Sequence, residues 1–287
     1  MPDRTARTRL HRSALAVLLM STLVAGCGSG TGSIPTDAFA VVASSDLAVG
    51  EERMLVGIAT TDATSYASPD LAVELDLYAP GAATPTITTA GTFVWTVPQV
   101  RGLYRANVAF DQPGEWRITV RSAGGDGTTS IPFTVAAKGR TPRVGARAPV
   151  VETRVATGGD IRSITSDPDP APRFYEMSLA DAVGSGRPTV VVFATPAWCA
   201  SATCGPVLDT VKDAARTMPD VNFVHVEIYE NPQVADQSML RVVDAVEAWG
   251  LPSEPWVFVV DRNGVITAKF EGTVSAAELD AAVEELR

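Results

Sequence analysis

The sequence predicts two domains in series, an all-β sandwich followed by an α/β domain, set behind an N-terminal export leader. Three observations carry that reading. Short alternating apolar runs separated by turn signals fill residues 38–137, the pattern of a sandwich. From residue 174 onward, β-branched runs alternate with apolar stripes at helical spacing. Ahead of both, four arginines precede an apolar run that ends at a cysteine.

The totals set limits on function. A chain of 287 residues is long enough for two domains, and 46% hydrophobic with 20% charged residues is a globular composition, not a disordered one. The first 26 residues hold four Arg and one Asp, which leaves 19 basic and 32 acidic side chains downstream, a net charge of −13. An acidic surface of that size repels phosphate backbones, and no basic run interrupts it, so no nucleic-acid partner is expected.

Arg4, Arg7, Arg9 and Arg12 form a positive leader, and Ala14–Ala25 is too short to span a bilayer, which needs roughly 20 residues. The run closes with Leu23-Val24-Ala25-Gly26-Cys27, which resembles the lipobox of bacterial lipoproteins. The resemblance implies a signal peptide over 1–26, a diacylglyceryl lipid on Cys27, and a place on the extracytoplasmic face of the bacterial cell membrane. Residues 27–37 then form a flexible Gly/Ser tether. Disulfides persist in that compartment. With Cys27 assigned to lipid, the two remaining cysteines, Cys199 and Cys204, have only each other.

Seven strands are expected in the β-module, residues 38–137: 38–44, 54–60, 71–78, 92–97, 103–110, 115–121 and 130–135. The clearest signal surrounds Asp111-Gln112-Pro113-Gly114, which reads as a hairpin. Tyr104, Ala106, Val108 and Phe110 alternate on one arm, and Trp116, Ile118 and Val120 on the other. The form G-x-Y-x-A-x-V-x-F-x-x-P-G-x-W resembles immunoglobulin-like modules of exported bacterial proteins, a likeness of fold that carries no activity. The module has no histidine and a single methionine, Met54, so it offers no copper-ligand set. It reads as a spacer or partner-docking unit, with Tyr66, Tyr78 and Trp95 expected in its core.

Residues 138–173 read as a linker. Lys138–Pro149 is rich in Arg, Gly and Pro, and Pro168, Pro170 and Pro172 punctuate the end of the stretch. The domain at 174–287 then runs in a definite order. Ser178 caps a short helix, 179–183, and Thr189–Phe193 is a strand buried on both faces. A helix over 204–218, a strand over 221–228 and a helix over 235–249 follow. Strands at 256–260 and 265–270 flank the turn Asp261-Arg262-Asn263-Gly264, and Ser275-Ala276-Ala277-Glu278 opens the last helix as a capping box.

That order, βαβα, a β-hairpin, then α, is the order of the thioredoxin superfamily. Three separated features carry the resemblance: Trp198-Cys199 after a hydrophobic strand, the stretch Trp249-Gly250-Leu251-Pro252-Ser253-Glu254-Pro255-Trp256, and the Asp-Arg-Asn-Gly turn with its closing helix. On that resemblance the second domain is an α/β thioredoxin-like domain, and Pro255 is the cis-proline that faces the cysteines. The match is nearest to the exported, membrane-tethered branch. It implies a thiol–disulfide oxidoreductase with Cys199 as nucleophile, Cys204 as resolving thiol, no cofactor, and protein thiols or disulfides as partners.

The chain departs from the family pattern in three places. The family keeps C-x-x-C, whereas here the pair is C-x4-C. Five residues on is about 500° around a helix, roughly 140° off the first sulfur's face. The sulfurs therefore meet only if residues 200–203 are not plain α-helix; either the helix begins near Cys204, as Gly205-Pro206 suggests, or its first turn opens on oxidation. One extra residue, in the Thr195-Pro196 region, separates the strand from Trp198. The buried acid of the family is absent, since Val192 and Phe193 occupy its place, and Glu254 is the nearest candidate acid.

Other readings stay open at this point. The pair could be a structural disulfide on a non-catalytic adaptor, although closing so short a loop is worth only ~2 kcal/mol. A copper metallochaperone would need a histidine before the hairpin, and the mature chain has only His225, inside a strand. A peroxidase of the bacterioferritin-comigratory type also uses C-x4-C, but its Thr precedes the reactive Cys by three residues, and Thr195 precedes Cys199 by four.

Overall fold

The computed structural model describes residues 33–286, apart from 123, 124, 126 and 157. The leader, the start of the tether and Cys27 lie outside the described residues.

Seven strands build the first domain: Phe39–Val42 (β1), Gly50–Ala59 (β2), Val73–Tyr78 (β3), Ile87–Val97 (β4), Arg101–Phe110 (β5), Gly114–Ser122 (β6) and Ile131–Val135 (β7). They form one sheet in the order β1-β2-β5-β4-β3-β6-β7. The long strand β4 makes this possible. Its first half, Ile87–Gly91, pairs with β3, and its second half, from Thr92, pairs with β5. The two faces of the expected sandwich are therefore one sheet folded over its own core. Parallel bridges Phe39↔Thr129 and Ala48↔Ala136 draw the two edges together, so the module is nearly a closed barrel.

The alternating residues behave as their period dictates: Tyr104, Ala106, Val108, Phe110, Trp116, Ile118 and Val120 are all buried. The turn between them, however, is not a hairpin. β5 pairs with β2 and β4, and β6 pairs with β3 and β7. The turn carries the chain across the core from one face to the other. Phe110 and Trp116 meet edge-on there, with ring centroids 5.0 Å apart, and Trp116 Nε1 donates to Gln112 O at 3.0 Å. Alternation specifies which face a strand buries, not which strand lies beside it. Of the aromatics expected in the core, Trp95 is 42% exposed, and Tyr66 and Tyr78 are half-buried.

The second domain holds a four-stranded sheet of Thr189–Ala194 (β8), Asn222–Glu227 (β9), Trp256–Val260 (β10) and Ile266–Glu271 (β11), in the order β11-β10-β8-β9. β8 and β9 are parallel, and β10 runs antiparallel to β8 and β11. Every residue of β8, β9 and β10 is buried, as continuous apolar runs between two helical layers require. The helices are Leu179–Gly184 (α1), Cys204–Thr217 (α2), Asp244–Ala248 (α3) and Ala276–Glu284 (α4). α2 and α4 cover one face through Val207, Leu208, Val211, Leu279 and Val283, while α1, α3 and Trp249 cover the other. Ser178 and Ser275 cap α1 and α4, and Ser275 with Glu278 completes the capping box.

The helix expected over 235–249 is much shorter than its apolar spacing suggests. Asp236 caps a single 3₁₀ turn, Gln237–Met239, and the chain then runs extended to Val243. Glu230 N donates to Arg241 O at 2.8 Å, and Val243 N donates to Ile228 O at 3.0 Å, so these residues pair beside the end of β9. Adjacent β-branched valines, 242 and 243, favour that conformation over helix.

Residues 138–173 are mostly irregular but packed. Arg140 N and Thr141 N donate to the Asp46 carboxylate at 2.7 and 2.9 Å. Gly145 N and Ala148 N donate to Ile266 O and Gly264 O at 2.8 and 2.9 Å, which seats the segment along β11. Gly250, at φ 60°, permits a close approach here, since a Cβ on it would lie 2.3 Å from Arg140 O.

The two domains are joined mainly by charged and polar groups. Arg53 grips Glu278 through Nε and Nη2 at 2.8 and 3.1 Å, and Arg105 Nε reaches the same carboxylate at 3.1 Å. Lys269 lies 3.3 Å from Glu52. Ser45 N donates to Glu271 at 2.8 Å, and Thr273 Oγ1 donates to Trp95 O at 3.0 Å.

Candidate redox site

β8 delivers the chain to the C-terminal edge of the sheet, where residues 195–203 fold as a loop ahead of α2. Trp198 N donates to Thr195 O at 3.1 Å, and Trp198 Nε1 donates to Pro232 O at 2.9 Å, which anchors the residue before Cys199. Behind the loop, Ala197 N donates to Ser166 Oγ at 3.3 Å, and Ser166 N and Oγ both donate to the buried Glu227 carboxylate at 2.7 Å.

Cys199 and Cys204 form a disulfide with their Cα atoms 6.0 Å apart. α2 begins at Cys204, with Pro206 in its first turn, so residues 200–203 lie outside the helix and the angular conflict of C-x4-C never arises. Ala202, at φ 60°, occupies the left-handed region and lets the loop double back, with its amide donating to Cys199 O at 3.1 Å. The sulfurs are not equivalent. Cys204 is fully buried and Cys199 is half-buried. Cys199 Sγ accepts from the Cys204 amide, a free N–H at the start of a 14-residue helix, at 3.2 Å. It also lies 3.2 Å from Ser201 Oγ, which in turn lies 2.7 Å from Thr203 Oγ1. Amide and hydroxyl both favour negative charge on that sulfur.

The Glu254–Pro255 peptide bond is cis, and Pro255 O accepts from Gly272 N at 2.9 Å. Ser253 and Glu254 share one cavity with Ser201 and Thr203, so the loop before Pro255 and the loop of the cysteines face the same space. Burial pushes the Glu254 carboxyl up from its ordinary value.

Three contributors are invisible to motif reading. Ser166 sits in the stretch read as a linker. Glu227 ends an apolar strand, and an acid in such a strand is itself a signal, because a buried carboxylate needs donors. Arg101 comes from the β-module, and its Nη2 donates to Ser201 O, between the two cysteines.

His225 is buried with both ring nitrogens engaged. Nε2 donates to Ala194 O at 3.0 Å, so Nδ1 is the acceptor for Tyr175 OH at 2.7 Å. Burial holds its pKa below the ordinary value. Among the described residues no group of three His, Cys, Asp or Glu could hold a metal ion, and no helix is long and apolar enough to cross a membrane.

A family model described as a thioredoxin-like domain matches residues 175–287. A comparison with curated proteins gives no match. Among solved structures, the chain is similar to a thiol:disulfide interchange protein of the thioredoxin family from Chlorobium tepidum TLS, at 17% identity and a TM-score of 0.35, over 50% of this chain and 97% of that one. It is also similar to a DsbF homologue from Corynebacterium diphtheriae, at 21% identity and a TM-score of 0.34, over 51% of this chain and 91% of that one. Chloroplastic thioredoxin z is similar at 20% identity and a TM-score of 0.30, over 38% of this chain and 86% of that one. Strand order, helix layers and the family match agree: residues 175–287 are a thioredoxin-like domain, carried behind an all-β module.

Proposed function

We propose that the chain is a membrane-tethered, extracytoplasmic thiol–disulfide oxidoreductase that acts on protein thiols and disulfides through Cys199 and Cys204. One observation carries the reading: two joined cysteines, at and just before the start of α2, differ sharply in access, and the reachable sulfur accepts from the Cys204 amide at 3.2 Å. In the reduced protein, the Cys199 thiolate attacks a partner disulfide. One partner sulfur leaves as thiolate, and Cys199 is held in a mixed disulfide. Cys204 gives up its proton and attacks Cys199 Sγ, which re-forms the observed cystine and releases the second partner thiol. Two electrons pass to the partner; the reverse sequence oxidises a dithiol. Trp198 positions Cys199, Pro255 takes the part of the cis-proline, and Glu254 is the titratable group closest to the role of the missing buried acid. The leader and Cys27 supply the address and the lipid anchor.

The test is the reduction potential of the Cys199–Cys204 pair, read by mass-shift alkylation in thiol buffers of graded potential. A value in the range of exchange proteins, roughly −120 to −270 mV, supports the reading; a bond still closed below about −300 mV marks a structural staple. Labelling with tritiated palmitate, compared between the parent and Cys27→Ala, tests the anchor, which is abandoned if both take up equal label.

A further inference from the structure

The β-module touches the loop between the two cysteines and supplies one wall of a cavity beside that loop. A cavity of about 300 Å³ opens between the domains. Ser201, Thr203 and Glu254 line it from the thioredoxin-like domain, and Leu55, Leu103 and Arg101 line it from the β-module. Neither cysteine lines it; its connection to the chemistry runs through Ser201, whose Oγ lies 3.2 Å from Cys199 Sγ and whose O accepts from Arg101. The wall is fixed in place. The Arg53–Glu278–Arg105 cluster, the Lys269–Glu52 pair and the Ser45–Glu271 hydrogen bond clamp the module on this side of the domain. Leu55 packs so close to Gly272 that a Cβ there would lie 3.3 Å from Leu55 Cδ1.

We propose that this cleft is the substrate-binding site, and that its β-module wall selects an extended cysteine-containing segment with an apolar residue beside the cysteine. The proposal deepens the oxidoreductase reading and rests on it for the identity of the reacting group. Three features favour this occupant. A space of that size takes a few side chains, not a folded face. In the disulfide exchange proposed above Cys199 bonds only to sulfur, so the occupant carries a cysteine. The half-buried Leu103, with the almost fully buried Leu55, makes the β-module wall apolar, which suits an apolar side chain of an extended segment. Acidic side chains are disfavoured, because two carboxyl groups, Glu254 and the buried Glu271, face this space against one cation, Arg101, which is already engaged with Ser201 O.

The test uses the full chain with dithiothreitol as electron donor and two synthetic peptide disulfides, one with leucine and one with glutamate beside each cysteine. The leucine peptide is expected to be reduced with a kcat/KM about tenfold higher, mostly through KM, as suits one apolar contact. Leu103→Ser is expected to shrink that preference several-fold, with a smaller effect on reduction of hydroxyethyl disulfide. A preference that survives this change, or an equal loss with the small disulfide, overturns the proposal. A second measurement needs no turnover: the leucine peptide with serine in place of cysteine is titrated into the oxidised chain. Binding weakened by Leu103→Ser supports the cleft even if no disulfide is reduced, which would defeat only the oxidoreductase reading. Absence of binding defeats the cleft whatever the redox result.

Discussion

The two halves of the molecule bury their cores by opposite means, and the difference accounts for where the cystine sits. The β-module curls a single sheet over itself, so most of its strands hide alternate residues and turn the others outward. The thioredoxin-like domain sandwiches its sheet between helices, so whole strands vanish and what reaches the surface is loop and helix end. A helix end presents free amides, and that is where Cys199 lies. The curled sheet has no comparable terminus. It has rows of outward polar side chains instead, and with these it grips its neighbour. One half carries the cystine, and in the proposed cleft the other supplies a wall.

The widest separation between the halves is expected at the sulfurs. Cys199→Ser should abolish exchange with peptide disulfides, whereas Cys204→Ser should accumulate mixed disulfides seen as a mass increase on non-reducing analysis. An empty trap with Cys204→Ser, or exchange surviving Cys199→Ser, would reverse the assignment of nucleophile. Next in size is Trp116→Ala. It empties a fully buried site and removes the bond to Gln112 O, at a cost of about 3–5 kcal/mol. If the polar interface couples the halves, limited proteolysis should cut both domains of this variant at the same denaturant concentration. Separate thresholds would show that the wall and the reactive domain unfold independently.

Glu278→Ala attacks the interface itself. Burial pushes this carboxyl up, but Arg53 and the Ser275 cap more than compensate, leaving it below the ordinary value. Its stabilisation is therefore present above about pH 4.5 and lost as the pH falls below it. Removing Glu278 strands a guanidinium whose side chain is only 11% exposed, which should cost about 3 kcal/mol near neutral pH in urea unfolding. An unchanged midpoint would mean that the domains are not held by this cluster. The smallest effect is expected at His225, on the far side of the reactive loop. Its folded pKa is depressed below 6.5, so the unfolded chain binds the extra proton first. The parent should lose stability relative to His225→Gln as pH falls through about 6.5. A difference constant between pH 7.5 and 5.5 would show that His225 does not titrate on unfolding.

Each half was legible in its elements and much less so in its long-range contacts. Period-two alternation in Tyr104–Phe110 and Trp116–Val120 marks two strands, because burial on one face leaves that trace in the chain. Nothing in the same residues says that the turn between them is an arch, since both arms of an arch and of a hairpin bury one face. In the second half the C-x4-C spacing excludes a plain helix between the sulfurs, and α2 indeed starts at Cys204. The short α3 is a different failure: apolar spacing reads as helix, yet Val242-Val243 prefer to extend beside β9. Arg101 and Ser201 are separated by 100 residues, and no local pattern records such a contact.

Gly250 carries a consequence beyond its turn. It lets the connecting segment press onto the second domain at Arg140, while Asp46 of the first domain holds the same residue's amide. The connector is stitched on both sides, so the gap between the domains is a preset dimension and not a hinge coordinate. A guest entering such a gap meets walls already ordered. In the proposed cleft, little of a substrate's binding energy would then be spent on arresting their motion, leaving more for holding its sulfur against Cys199.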